Sequence, residues 1–215
     1  MRNVFKKLIL MGVAVTLAGI AEAKTFRYAT TGDVLGLDPH ANNEGPTNTM
    51  KGNLYGRLLH RKADLSLEPD LATKWEKLDA TTWRFSLRQG VKFHNGNAFN
   101  ADDVVFSYNR QTQESSDMSF ALATVKEVRK VDDHTVDIIT KGPDPILLLN
   151  MPIFYIVDKE WTEANNAFEV VRASGSTNFA NVNANGTGPF KLVEWVQDTR
   201  LVLEPNPNYW NTANV

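Results

Sequence analysis

Cysteine is absent from the 215 residues of this chain. No disulfide can therefore stabilise the fold, and no metal site can be built on thiolates. Histidine is scarce, and no two histidines stand in an HExxH or similar ligand spacing. We interpret each of the four as a turn or surface residue: His40, His60, His94 and His134. The sequence predicts no metal centre and no other cofactor.

A long apolar run is also missing, because residues 8–20 form an apolar stretch shorter than the roughly 20 residues of a membrane span. Three basic residues precede this stretch, and Ala21-Glu22-Ala23 follows it as a small-x-small cleavage site. Residues 1–23 are therefore predicted to be a signal peptide, with Lys24 as the first mature residue. A lipid anchor would need a cysteine there, so we expect a processed protein free in the periplasm and not membrane-spanning.

Excess positive charge is lacking as well. The formal net charge is −2, and removal of the predicted leader makes it more negative, since the leader carries three basic residues and one acidic residue. Nucleic-acid binding requires clustered lysine and arginine, so we expect no nucleic-acid partner. The hydrophobic content of 42% is normal for a soluble protein with a core, and the mature length fits one ordinary domain or two small ones.

Hydrophobic periodicity predicts both strands and helices along the chain. Residues 24–31 alternate apolar and polar side chains, which is typical of a strand. A loop rich in glycine, aspartate, asparagine and proline leads to a predicted helix on which Met50, Leu54 and Leu58 recur at every fourth position. Further along we predict strands over residues 82–87 and 135–140, a helix capped by Asn100, a helix over residues 161–171 and a hairpin over residues 190–204.

The loop after the first predicted strand is the best candidate for ligand binding. Ligands of open α/β sheets collect beyond the carboxyl ends of strands, and a glycine lets the backbone approach a guest closely. A plain solvent-exposed loop is the alternative. The candidate residues are Thr31, Gly32, Asp33 and Val34.

Catalytic motifs are poorly supported. Ser174 and Ser176 flank a glycine but form no GxSxG elbow. The glycine pair at positions 186 and 188 lacks the third glycine and the preceding strand of a dinucleotide site. The carboxylate pairs at 102–103 and 132–133 are neighbours that point apart, and we interpret them as a helix cap and a turn. The sequence predicts no catalytic residue.

Several motifs of the chain occur in the order typical of one family. They are PDLATKW and FSLRQGVKFHNG, then ADDVVFS, GTGPF and NPNYW, all between residues 69 and 210. This series resembles the extracytoplasmic solute-binding proteins of peptide and nickel ABC importers, the dipeptide- and oligopeptide-binding group. The resemblance covers residues 26–210, and chains of that family run far beyond this point.

The resemblance implies a periplasmic-binding-protein-like fold of type II, with two α/β lobes that close on a ligand. Residues 24–59 and 174–215 would form the core of a mixed-sheet first lobe, and residues 60–173 an inserted α/β subdomain. The second lobe would be missing, which makes the chain an N-terminal fragment.

The same resemblance implies capture of a small solute for an ABC permease in the inner membrane, without any reaction. Dipeptides are the expected solute, and oligopeptides, a nickel chelate, glutathione and haem remain open. The loop at residues 31–34 would meet a peptide largely through main-chain groups, whereas the charged anchors for the peptide ends lie in the missing part. A truncated, non-functional remnant and a fragment of an exported hydrolase are the alternatives.

Overall fold

The computed structural model describes residues 25–172 and 178–212, so the predicted signal peptide, Ser174 and Ser176 lie outside the described residues. The helices are α1 (Gly45–Leu54), α2 (Ala101–Gln111), α3 (Leu147–Asn150), α4 (Lys159–Ala164) and α5 (Phe179–Val182), with 3₁₀ turns at Ser119–Leu122 and Met151–Ile153. The strands are β1 (Leu59–Arg61), β2 (Leu67–Pro69), β3 (Ala72–Lys77), β4 (Thr82–Leu87), β5 (Val125–Asp132), β6 (Thr135–Thr140), β7 (Phe190–Val196) and β8 (Arg200–Pro205). Among the described helices, none has the length and apolarity needed to cross a membrane.

The strands form three sheets. The largest has the order β3-β4-β6-β5, and β1-β2 and β7-β8 are two-stranded. The pairs within the described residues are all antiparallel, and the expected mixed sheet is not represented among them. The α/β character is confirmed, and so are the bounds of β4 and β6 and the hairpin β7-β8.

Local sequence explains the elements that were predicted well. On β4 the side chains of Phe85 and Leu87 are buried, because a strand with one face on the core alternates with a period of two. Helix α2 begins with a capping box, in which Asn100 accepts from the Asp102 amide at 2.7 Å. The Asp103 carboxylate in turn accepts from the Asn100 amide at 2.9 Å.

One predicted strand is wrong, and two predicted helices are wrong in their extent. Thr25–Thr30 is not a strand, because no described strand pairs with it, and Phe26 is 84% exposed. Helix α1 ends at Leu54, so the buried Leu58 lies beyond it. The helix predicted over residues 161–171 ends at Ala164, because Asn166 adopts a left-handed conformation with φ 51° that reverses the chain.

The buried apolar side chains form two clusters. The first core lies around the four-stranded sheet and draws its buried members from residues 58–156. The second core joins Val34 and Leu37 to helix α1 and to the inner side of the β7-β8 hairpin. Helix α2 serves both, since Val104 belongs to the first core and Phe106 to the second.

A buried arginine joins the segments around the second core. The Arg110 guanidinium donates to both oxygens of Asp38 at 2.7 and 2.5 Å, and to the Ala167 carbonyl at 3.0 and 3.1 Å. It also donates to Nδ1 of His40 at 3.0 Å, while His40 Nε2 donates to the Tyr155 carbonyl at 2.9 Å. Thus one side chain of α2 fixes the loop at residues 38–40 and the chain that follows α4.

The protonation states follow from these contacts. Burial by itself would raise the pKa of Asp38, but the Arg110 guanidinium holds it below its usual range. Burial and the neighbouring Arg110 charge lower the pKa of His40 to about 3, so its ring is neutral at physiological pH. His40 does lie in a turn, but it is not a surface residue, because its side chain is fully buried and serves as a hydrogen-bond relay.

Removal of the Asp38 carboxylate should therefore destabilise the fold strongly. We expect Asp38→Ala to lower the free energy of unfolding by about 3–5 kcal/mol, since it leaves a buried guanidinium without its counter-charge. The control is Arg200→Ala, which breaks a bidentate ion pair with Glu194 that is exposed to solvent. Urea unfolding measures both. Equal losses in the two variants would contradict the role assigned to burial.

Candidate functional site

The predicted ligand loop lies at the edge of the second core. Thr31 and Gly32 are exposed, Asp33 is half-buried, and Val34 is buried within the second core. The four residues are thus brought together as a short bridge between the exposed segment Thr25–Thr30 and the packed interior.

The main chain of this loop is available for a guest. Within the described residues the amides of Thr31, Gly32 and Asp33 make no hydrogen bond, and the Gly32 carbonyl accepts only from Thr30 Oγ1, at 2.5 Å. Backbone donors need a partner, which at an exposed site is water or a ligand. A Cβ atom at Gly32 would meet nothing within 4 Å, so the fold itself does not require glycine there. Its role toward a guest stays a prediction.

The motifs that carry the family resemblance meet in a different place. The Pro69–Ala72 motif and the segment 186–189 both pack against Gly56, because a Cβ atom at Gly56 would overlap both Thr187 and Leu71. Trp210 closes the same region, with the Arg88 guanidinium 3.8 Å from the centre of its ring. We call this region the motif junction: Gly56, Pro69–Ala72, His94–Asn97, Asn185–Pro189 and Tyr209–Trp210.

The two glycines of the NGTGPF segment are required by close backbone packing. A Cβ atom at Gly186 or at Gly188 would overlap the Leu54 carbonyl at the end of α1, and the Gly188 amide donates to that carbonyl at 3.0 Å. The segment therefore closes the C-terminus of a helix. It presents no cradle of free amides to a phosphate, since the Gly186 amide donates to His94 instead.

His94 is a structural contact of the motif junction. Its Nδ1 atom accepts from the Gly186 amide, and its Nε2 atom donates to the Gly188 carbonyl, both at 3.2 Å. The predicted turn is confirmed, with Gly96 at φ 99°, but the ring is half-buried. Burial lowers the pKa of His94 to about 4, which suits a ring that must accept one hydrogen bond and donate another.

A buried carboxylate completes the junction. Oδ2 of Asp158 accepts from the side-chain amides of three asparagines at 2.8–2.9 Å, and Oδ1 accepts from the Trp161 amide at 2.9 Å. The asparagines are Asn95, Asn97 and Asn185. Asp158 thereby ties the His94–Asn97 turn to the NGTGPF segment and to the start of α4. Sequence reasoning missed this residue, since no local pattern pairs it with partners 27 to 63 positions away.

Asp103, Asp158 and Glu160 form an acidic cluster whose carboxylate oxygens lie within 4.8 Å of one another. Protein donors already satisfy its two buried members, since Asp103 accepts from the amides of Asn100 and Lys159. Burial raises the pKa of Asp103 to about 7, which removes part of the charge that a cation would require. Helix capping and the hydrogen bonds accepted by Asp158 therefore explain the cluster.

A small cleft opens beside the junction. Its volume is about 200 Å³, and Arg57, Asp70, Thr187 and Trp210 are among the residues that line it. Arg57 and Asp70 face each other at 3.5 Å, and burial raises the pKa of Asp70 to about 6. The cleft is smaller than the 300–1,000 Å³ typical of small-molecule sites, and its charged groups pair with each other.

One added methyl group at the motif junction should destabilise the fold strongly. Gly186→Ala should lower the free energy of unfolding by about 1–3 kcal/mol, because the new Cβ must displace the Leu54 carbonyl. Gly142→Ala is the matched control, since a Cβ atom there meets nothing within 4 Å. Thermal and urea unfolding compare the two variants. A neutral Gly186→Ala would show that the backbone approach is not tight.

His94 should also contribute to the dependence of stability on pH. The folded-state pKa is about 4 and the ordinary value is 6.5, so between these values the unfolded state binds more protons. Stability conferred by the neutral ring is thus complete above pH 6.5 and is lost as the pH falls. In His94→Asn we expect the free energy of unfolding to fall less steeply with decreasing pH, by up to about 1.4 kcal/mol per pH unit. Urea unfolding of both proteins between pH 7 and pH 4 measures this slope. Parallel curves for the variant and the unmodified chain would contradict a contribution from His94.

Comparison with known proteins identifies the family. The family model of bacterial extracellular solute-binding proteins, family 5, matches residues 66–215. The chain is 32% identical to the dipeptide-binding protein of Escherichia coli, in a match that covers 96% of the present chain. It is also 32% identical to heme-binding protein A of Haemophilus influenzae, in a match that covers 92% of the present chain. It spans 42% and 39% of these two relatives.

A solved structure agrees with the sequence comparison. The periplasmic binding protein DppA of Helicobacter pylori, in complex with the peptide STSA, matches 83% of this chain with a TM-score of 0.73 and 26% identity. The match covers 38% of that protein. The fold is therefore that of the periplasmic binding proteins, represented here by an N-terminal portion. The chain belongs to the family 5 bacterial extracellular solute-binding proteins.

Proposed function

We propose that this chain is the ligand-receiving first lobe of a periplasmic receptor that captures peptides, expected to be dipeptides, for an ABC permease of the inner membrane. The observation that carries the proposal is that Thr31 and Gly32 are exposed and that the main-chain amides of Thr31, Gly32 and Asp33 have no hydrogen-bond partner within the described residues. The names of the relatives support it, since one is a dipeptide-binding protein and another was solved with a peptide.

The division of the lobe follows the two cores. We place residues 24–59 and 174–215 in the lobe core and residues 60–173 in an inserted subdomain, because most members of the second core come from the former segments and those of the first core from the latter. The motif junction and Arg110 hold the two parts together. In the complete receptor, closure of two lobes on a ligand would shift an open-to-closed equilibrium toward the form that a permease recognises.

The hydrolase alternative gains no support from His40 or His94. His40 is neutral and engaged by Arg110 and the Tyr155 carbonyl, and His94 is engaged by the NGTGPF backbone. Neither ring has a free nitrogen with which to activate a nucleophile. No observation favours a non-functional remnant.

The proposal predicts that affinity depends on a second lobe. We expect dipeptides to bind the present chain no more tightly than about millimolar, roughly −4 kcal/mol, because one lobe buries only one side of a ligand. A chimera with the remaining part of the Escherichia coli dipeptide-binding protein should bind dipeptides in the micromolar range or better. Calorimetry tests both proteins. A chimera that folds and binds no dipeptide would contradict the proposed substrate, and micromolar binding by the single lobe would contradict the two-sided site.

The loop assignment has its own test in the chimera. Gly32→Leu should weaken dipeptide binding at least about tenfold by crowding the main-chain approach, while the melting temperature stays unchanged because the space around Gly32 is open. Gly142→Leu, at another open glycine in the inserted subdomain, should change neither quantity. Indifference of binding to Gly32→Leu would remove the loop from the site.

A further inference from the structure

The Asp33 side chain lies between the candidate ligand loop and the β7-β8 hairpin. Its Oδ2 atom accepts from the Trp195 indole Nε1–H at 3.0 Å and from the Asp198 amide at 2.7 Å. Its Oδ1 atom accepts from the Val34 amide at 2.8 Å. Both carboxylate oxygens are therefore engaged by protein donors, two of them more than 160 residues further along the chain.

The rest of the loop has few other attachments. On its C-terminal side the Val34 side chain packs in the second core, which the Trp195 ring also contacts, and the Leu35 amide donates to Thr47 Oγ1 at 2.9 Å. On its N-terminal side Thr25–Thr30 is exposed and has no strand partner within the described residues. Within the part of the chain that the structure describes, the loop is consequently attached to the rest of the fold only on its C-terminal side, and the contacts of Asp33 determine the orientation of the free Thr31 and Gly32 amides.

We propose that Asp33 is a positioning residue, whose carboxylate fastens the ligand loop to the tip of the β7-β8 hairpin and does not itself bind a charged group of the ligand. The inference rests on the proposed function of the loop as a peptide-binding element. Fixing the loop before the ligand arrives lowers the entropy lost on binding, so Trp195 and Asp198 contribute to affinity without contacting the solute.

The contact can be tested first in the chain without any ligand. In Asp33→Asn, the acceptor loses its negative charge even with the amide oxygen facing the hairpin, and charge-assisted hydrogen bonds are the stronger ones. The Trp195 indole proton should therefore move upfield and exchange with solvent faster, and the Gly32 amide resonance should shift. Trp195→Phe keeps a ring, assigns the indole signal among the five tryptophans and should shift the Gly32 amide in the same way. The control is Asp79→Asn, which loses similar contacts to Thr81 and Thr82 in the β3-β4 turn. Unchanged indole and Gly32 signals in Asp33→Asn would overturn the inference.

Dipeptide binding to the chimera then separates positioning from direct contact. A positioning role predicts that Asp33→Asn and Trp195→Phe both weaken binding by a similar factor of about ten, the equivalent of one hydrogen bond. Direct contact of the carboxylate with the ligand predicts weakening in Asp33→Asn alone, and that result would refute the positioning role. If the unmodified chimera binds no dipeptide, the proposed function fails, and the spectra of the chain still decide whether Asp33 fastens the loop.

Discussion

The buried guanidinium of Arg110 is the constraint on which the arrangement of this lobe depends. A cation without access to water must be surrounded by acceptors, and Arg110 obtains them from Asp38, from the Ala167 carbonyl and from a neutral His40. These acceptors come from segments on either side of α2 in the sequence. Once the guanidinium is satisfied, the chain between the ligand loop and α1 has a fixed position. Helix α4 must also end before residue 167, so that the Ala167 carbonyl is free to accept from the guanidinium.

A similar logic applies to the motif junction, where the Asp158 carboxylate is satisfied at the contact between the proposed lobe core and the proposed inserted subdomain. Among the described residues Asp158 has no cationic partner, and hydrogen bonds from the side-chain amides of three asparagines offset the cost of its burial instead. Gly186 and Gly188 are needed because the backbone touches the end of α1. The residues with the strongest family resemblance therefore describe how the lobe is assembled. None of the family motifs quoted above falls in the predicted ligand loop, and its amides at Thr31–Asp33 have no partner within the described residues, which is consistent with a surface reserved for a solute.

Local signals predicted the parts of the fold that are determined locally. Residues that are close in sequence determine the period of two in β4, the extent of β6 and the Asn100 cap. The strand expected at residues 24–31 was not predictable in this way, because pairing requires a neighbouring strand that no local pattern supplies. The burial of His40 was misjudged, and Asp158 was missed, for a related reason: their partners lie up to 115 positions away, and burial is a property of the assembled core. The loop at residues 31–34 was located by position, whereas the attachment of Asp33 to the hairpin could be found only from the structure.

A crystal structure of the dipeptide-bound chimera would show directly whether the solute meets this lobe at Thr31–Val34 and whether the motif junction is scaffold. We expect the peptide main chain to hydrogen-bond to the free amides of the loop, while the Asp33 carboxylate stays bonded to Trp195 and the junction keeps its contacts. A peptide seated in the cleft between Arg57 and Trp210, or paired directly with the Asp33 carboxylate, would contradict it.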